Sequence, residues 1–256
     1  MHRLIVTADD FGMSTSINVA VEDAHRNGIL TAASLMVAGD AAEDAIGRAR
    51  SMPSLGVGLH LVLIDGKPML PPARLPDLVD ESGRFPNAPA RLGARIFFSS
   101  SARRQAEAEI RAQLEAFRAT GLRLDHVNAH HHFHFHPTVR DILIGLAPEF
   151  GIGAVRLPRE PSLTLGNAVV APFVAGLRRR LDRAGIARND WQLGLSATGA
   201  MTSPRTRALL EALPAGVTEI YFHPATGNED HRALTDSAVA ELLSRKGIAP
   251  VSFAAL

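Results

Sequence analysis

The sequence predicts an α/β fold, a distorted (β/α) barrel carrying one long Pro-rich insertion. Two observations carry that prediction. Apolar runs of strand length alternate with helical patterns along the chain, which implies parallel strands joined by right-handed helical crossovers. Seven or eight such units follow one another, which suits a closed barrel better than an open sheet.

The elements read in order. "RLIVTA" is a strand, and "STSINVAVEDAHRNG" a helix. Ser14 or Thr15 can cap that helix, Ile17, Ala20, Val21 and Ala24 form its apolar stripe, and Gly28 ends it. "TAASLMVAG" is a second strand, residues 41–51 a short helix, and "LGVGLHLVL" a third strand. "RRQAEAEIRAQLEAFRATG" is the longest helix, with Ile110, Leu114 and Phe117 inward. "LRLDHVNA" is a fourth strand, and Pro137 stands where a following helix would begin. "GAVRLP" is a short fifth strand, and residues 167–184 form a basic amphipathic helix. "WQLGLS", "VTEIYF" and "APVSFAA" complete the strands, with helices near 204–213 and 235–246. Residues 64–100 break the rhythm: this Pro-rich segment is too long for a routine connection and reads as a lid over a site or a disordered insertion. Nothing divides the chain, so residues 1–256 are expected to form a single domain.

Composition narrows the function. With 46% apolar and 21% charged residues the chain suits a soluble globular protein. A net charge of +1 gives no electrostatic support for a nucleic-acid partner. There is no cysteine, so any metal must be held by His, Asp or Glu. The opening "MHRLIVTADD" lacks a signal-peptide layout, and no run approaches the roughly 18 apolar residues of a spanning helix. A cytoplasmic protein is therefore expected, with a homodimer as the default assembly.

In a parallel barrel, reacting groups gather at the carboxyl ends of the strands. Five predicted strands end in ionisable residues: Asp9-Asp10, His60, the histidines from His130, Arg156 and His223. Two adjacent buried carboxylates repel each other unless a cation is present. A bound cation lets one coordinate while the other stays free as a base. His60 lies in an apolar strand, where a lone histidine is more often a core residue; its place on the same rim as Asp10 raises it to a ligand candidate. Six of the eleven histidines fall in "HVNAHHHFHFHP". Strand alternation puts His126, Asn128 and His130 on one face, with His130 nearest the rim and His134 as its competitor if the chain has already turned helical. One carboxylate and two imidazoles suit a divalent ion, Zn²⁺ or Mg²⁺, with positions left for water and substrate. His223, held before a proline, is placed to act as a general acid. Arg156 could orient Asp9, bind an oxyanion, or lie on the surface.

Together, "TADDFG", "GLHL", "HVNAHHHFHFHP" and "FHPA" resemble the YdjC-like (ChbG-type) carbohydrate deacetylases, in matching order from residue 4 to about residue 230. The resemblance implies a distorted (β/α) barrel and metal-dependent hydrolysis of an N-acetyl group from a sugar. It maps the metal ligands onto Asp10, His60 and His130, the catalytic acidic residue onto Asp9, the arginine that holds the base onto Arg156, and the histidine acid onto His223. Many members read Asp-Ser where this chain has Asn128-Ala129. The Asn-Ala form followed by "HFHFHP" resembles the hopanoid-biosynthesis-associated branch (HpnK), which implies an N-acetylglucosaminyl hopanoid as substrate instead of a soluble chitooligosaccharide. "LTLGNAVVAPFVAGLRRRLDR" pairs an apolar face with Arg178, Arg179 and Arg180, a pattern that can rest on an anionic membrane surface or serve as a barrel helix with a solvated basic end. Rival readings are another barrel metallohydrolase, such as an amidohydrolase or phosphoesterase, and a non-enzymatic metal-binding protein.

Overall fold

The computed structural model describes residues 2–161 and 165–256, so the first two residues of the apolar–basic segment, 163–164, lie outside it. In chain order the elements are β1 (His2–Phe11), α1 (Thr15–Asn27), β2 (Ala32–Leu35), α2 (Ala42–Arg50), β3 (Gly56–Leu61), α3 (Pro89–Phe98), α4 (Ser100–Ala119), β4 (Val127–Ala129), α5 (Pro137–Phe150) and α6 (Leu165–Ala184). There follow β5 (Trp191–Leu193), α7 (Ser203–Glu211), β6 (Gly216–Phe222), α8 (Glu229–Thr235) and α9 (Ser237–Arg245). Ser14 caps α1 by accepting from the Ile17 amide, and α5 begins on Pro137, where a missing N–H costs nothing.

Six parallel strands form one curled sheet in the order β4-β3-β2-β1-β6-β5. Its two edges are linked by single bridges, Val127 with Val155 and Ala154 with Ala187, so a half-barrel is laddered and the remaining side is only stitched. Of the eight predicted strands, two therefore shrink. "GAVRLP" gives only those bridges, because Pro158 offers no N–H to extend a ladder. "APVSFAA" gives one bridge, Val251 with Ile5, and then a 3₁₀ turn at Phe253–Ala255.

That turn closes the floor of the barrel. Phe253 packs with Ile5, Ala32 and Ala154 in a small cluster separate from the main core, which lies between the sheet and its helices. Above the floor the interior is polar: Thr7, Ser34, His126, Asn128, Arg156 and Glu219 are all fully buried. The inward positions of β3 are Gly56, Gly58 and His60. A Cβ on Gly58 would lie 2.5 Å from the His126 ring, and one on Gly56 would lie 2.7 Å from Asp125 Cγ. The two glycines clear the space into which Asp125 and His126 project.

Residues 64–100 are packed and not a free loop. Gly66 bridges Phe85, α3 occupies the last third, and Leu75, Leu78, Phe85, Leu92 and Ile96 are buried. Glu109 on α4 accepts from the Met69 and Leu70 amides and fastens the segment to the barrel.

Gly58→Ala forces a methyl group into the His126 ring and should destabilise the fold by about 1–3 kcal/mol, the usual cost of overpacking. Urea unfolding at neutral pH measures it, and an unchanged midpoint would contradict this account of the barrel interior.

Candidate metal centre

Asp9 and Asp10 are consecutive, so in a regular strand their side chains would point to opposite faces. The β1–β2 ladder carries one extra residue between Ala8 and Phe11, a bulge, and Asp10 sits there in the left-handed region at φ 64°. Such a conformation costs a non-glycine residue roughly 1–3 kcal/mol and persists where the surroundings enforce it. Gly12, at φ 94°, completes the turn into α1. The result is that both carboxylates face the same cavity.

Asp10 meets two imidazoles there. Its Oδ1 lies 3.3 Å from His60 Nε2 and 3.1 Å from His130 Nδ1, and the two nitrogens are 3.3 Å apart. Two donors bound to one Zn²⁺ at about 2.1 Å stand about 3.0–3.4 Å apart. Asp10 Oδ1 is buried and has no hydrogen-bond partner among the described residues, an orphan that a cation would satisfy. Charge agrees with geometry. Asp9 and Glu219 share the one guanidinium of Arg156, and Asp10 has only histidines for ion-pair partners among the described residues; with those rings neutral, three carboxylates against one arginine leave two negative charges, the charge of one divalent ion. The donor set fits such an ion.

Asp9 stays outside that triangle. Arg156 donates to its Oδ2 from Nη1 at 2.6 Å and to its Oδ1 from Nη2 at 2.9 Å, and Asn128 Nδ2 donates to Oδ1 at 3.1 Å. Burial pushes the Asp9 carboxyl up, but the charges of Arg156 and His60 outweigh it and hold the group well below the usual carboxylate range. Arg156 is fully buried and also grips Glu219 through Nε and Nη2. The surface and oxyanion readings of this arginine are thus replaced by a Glu219–Arg156–Asp9 clamp. His223 stands across the rim, with Nε2 4.0 Å from Asp10 Oδ2 and its ring edge-on to Tyr221. Asp230 fixes its backbone amide, and Asn228 its carbonyl.

The histidine cluster divides its labour. His126 points into the barrel interior, bonded to Asp125 and Ser34. His130 faces Asp10. His131 and His132 both take left-handed backbone, φ 53° and 55°, and the reversal carries His131 towards Asp65 and sets His132 edge-on to Tyr221. His134 is buried, and its Nε2 donates to the Arg156 carbonyl at 2.9 Å, so it supports the clamp and is absent from the Asp10 triangle. His136 stacks on Phe133.

Sequence reasoning overlooked Ser34, Glu219 and the role of Asn128. Their signal was available: a polar residue at an inward position of an otherwise apolar strand is expensive unless paired.

Residues 3–245 match the family described as YdjC-like protein. The chain belongs to that family. Among YdjC-like relatives, a carbohydrate deacetylase of Brevibacillus brevis is 43% identical over 240 residues, 93% of this chain and 87% of that protein. A chitooligosaccharide deacetylase of Escherichia fergusonii is 35% identical over 160 residues, 61% of this chain and 60% of its own. Among solved structures, a candidate cellobiose-phosphate cleavage protein of Enterococcus faecalis V583 superposes with a TM-score of 0.79 at 25% identity, covering 99% of this chain and 98% of its own. A lactam utilization protein of Thermus thermophilus shares the fold alone, with a TM-score of 0.51 at 16% identity over 98% of this chain and 99% of that one.

Burial drives the His134 ring down to about 3, with the Arg156 charge adding to the shift. Between pH 6.5 and 3 the unfolded chain binds a proton there that the native state refuses, so stability falls as pH drops through that window. His134→Gln keeps a donor for the Arg156 carbonyl but cannot titrate. It should flatten the acid-side slope of unfolding free energy by up to about 1.4 kcal/mol per pH unit. Denaturant unfolding between pH 4 and 7 checks this, and an unaltered slope would refute it.

Proposed function

We propose that this chain is a metal-dependent carbohydrate N-deacetylase that removes the acetyl group from an N-acetylglucosamine-containing substrate. The observation that carries the reading is the triangle of Asp10 Oδ1, His60 Nε2 and His130 Nδ1, with edges of 3.1–3.3 Å and a second, clamped carboxylate beside it. The names of its YdjC-like relatives support the substrate class. One carboxylate and two imidazoles favour Zn²⁺ over Mg²⁺, which prefers oxygen ligands.

When bound, the cation would supply Lewis-acid polarisation of the acetyl carbonyl and make water at the site more acidic. Asp9 accepts the proton of the attacking water. Its ionised form is secured by Arg156, which is held in turn by Glu219. Asn128 and Arg156 fix the carboxylate in one orientation. His223 delivers a proton to the departing nitrogen, without which an amide does not release its amine. Acetate and a free amino sugar result.

A finer reading concerns what the sugar is attached to. Beside the site lies an apolar groove of about 600 Å³ lined by Phe97, Phe98, His131, Phe133, Phe135 and Phe173. His131 belongs to this groove and adjoins His130, so a sugar at the metal would extend its aglycone along the phenylalanines. This supports a glycolipid, of the N-acetylglucosaminyl hopanoid kind, over a short soluble sugar. Exposed Phe98, Val169 and Phe173 give the same side an apolar edge suited to peripheral membrane contact. Arg178 and Arg180 lie near Asp182 and Asp141, which tempers the basic face of α6. Among the described residues no helix is long and apolar enough to cross a membrane. The second reading, a chitooligosaccharide substrate, is favoured by the name of the Escherichia relative.

Asp10→Ala and His60→Ala should lose bound metal together with activity, whereas Asp9→Asn should keep metal and lose turnover; metal content by mass spectrometry beside acetate release tests both, and full metal stoichiometry in Asp10→Ala would overturn the assignment. His223→Ala should lower kcat about 10²–10⁴-fold, the usual contribution of a proton-transfer group. Phe97→Asp should raise KM for N-acetylglucosaminyl hopanoid and leave diacetylchitobiose unaffected. Equal effects on the two substrates would remove the groove from substrate recognition.

A further inference from the structure

We propose that Asn128, Ser34, His126 and Asp125 form a one-way chain of hydrogen bonds that fixes the tautomer of His60 and enriches its ring in electron density, which makes them positioning residues for the metal centre. The proposal rests on the reading of Asp10, His60 and His130 as that centre. The links are short and buried: His60 Nδ1 to Asn128 Oδ1 at 2.7 Å, Asn128 Nδ2 to Ser34 Oγ at 2.8 Å, Ser34 Oγ to His126 Nε2 at 3.1 Å, and His126 Nδ1 to Asp125 Oδ2 at 2.9 Å. These residues come from three strands and the approach to β4, and all are at most 6% exposed.

The direction of every proton follows from fixed groups. The Asn128 amide stands 3.1 Å from Asp9 Oδ1, a carboxylate that only accepts, so Nδ2 must be on that side. Its two hydrogens go to Asp9 and Ser34, and Oδ1 is left for His60. His60 must then carry its proton on Nδ1, and Nε2 presents a bare lone pair to Asp10 and His130. At the far end Asp125, a carboxylate, only accepts, so the His126 tautomer carries its proton on Nδ1, and its bare Nε2 accepts the one hydrogen of Ser34 Oγ. All four donors thus point away from the metal centre and towards one buried carboxylate. Chains aligned this way polarise one another, and a ligand histidine that donates its far N–H is a stronger ligand.

The barrel is shaped to hold this chain. Gly56 and Gly58 clear room for the Asp125 and His126 side chains. At the floor, Asp125 accepts from the Phe253 and Ala254 amides at 3.2 and 2.9 Å, and Phe253 stacks on the His126 ring. The carboxylate that ends the chain is therefore held by the residues that plug the barrel.

The experiment uses the full chain. Long-range ¹H–¹⁵N spectra of the metal-free protein, recorded at a pH where both rings are neutral, should report His60 and His126 as Nδ1–H tautomers; a neutral His60 protonated on Nε2 alone would overturn the proposal. Ser34→Ala leaves the three ligands untouched and should raise the Zn²⁺ dissociation constant about 10-fold by calorimetry, the lower end for residues that orient ligands. Asp125→Asn should shift the constant the same way by a smaller factor, and decides the matter if Ser34→Ala does not fold. Zn²⁺ affinity equal to that of the unmodified chain in every folded variant would refute the chain of influence. Failure of the unmodified chain to bind Zn²⁺ counts against the proposed function alone, because the tautomers are read without metal.

Discussion

Two neighbouring carboxylates turned into one buried cavity is the constraint on which the rest of this structure depends. Nothing in a regular strand would produce it, and electrostatics opposes it. The bulge and the left-handed Asp10 create the arrangement, and the surrounding residues make it tolerable. Arg156 neutralises Asp9 and is itself balanced by Glu219, while His60 and His130 crowd the oxygen of Asp10. The excess negative charge that is left matches a divalent ion, so the strain at Asp10 and the chemistry proposed for the site have one origin.

The same constraint explains the abundance of imidazole. A histidine can be ligand, donor, acceptor or neutral wedge according to its surroundings, and this cluster uses several of those states within a few residues. His130 lies at the triangle, His126 spans the interior, and His134 holds up the carbonyl of the arginine that clamps Asp9. The reversal at His131 and His132 separates these duties by turning the chain from strand into a 3₁₀ turn within two residues.

Much of this was legible in the sequence. The alternation of "HVNAH" put His126, Asn128 and His130 on one face, and strand ends marked Asp9, Asp10, His60, Arg156 and His223 as neighbours on one rim. What stayed hidden was three-dimensional in a stricter sense. A bulge has no signature in "TADDFG", so the shared orientation of the two acids could be argued only from chemistry. Arg156 could be named as a residue to orient Asp9, but its second partner, Glu219, far away in sequence, had no local signature, so the clamp itself stayed hidden. The fifth and eighth strands were overread because a run of apolar residues looks the same whether its amides find a ladder or stop at a proline. Which of His130 and His134 stands beside Asp10 depends on where the chain turns, which local pattern does not specify.

The plug at the base of the barrel has a consequence for how the protein is made. Ile5 and Thr31 are joined to Val251, and Arg3 reaches the carbonyl of Leu256, so the first strand is completed by the last few residues of the chain. Contacts spanning so much of a polypeptide form late, because the loop they close is large. Until residues 251–256 are in place, the barrel is an open-bottomed ring with a polar lumen.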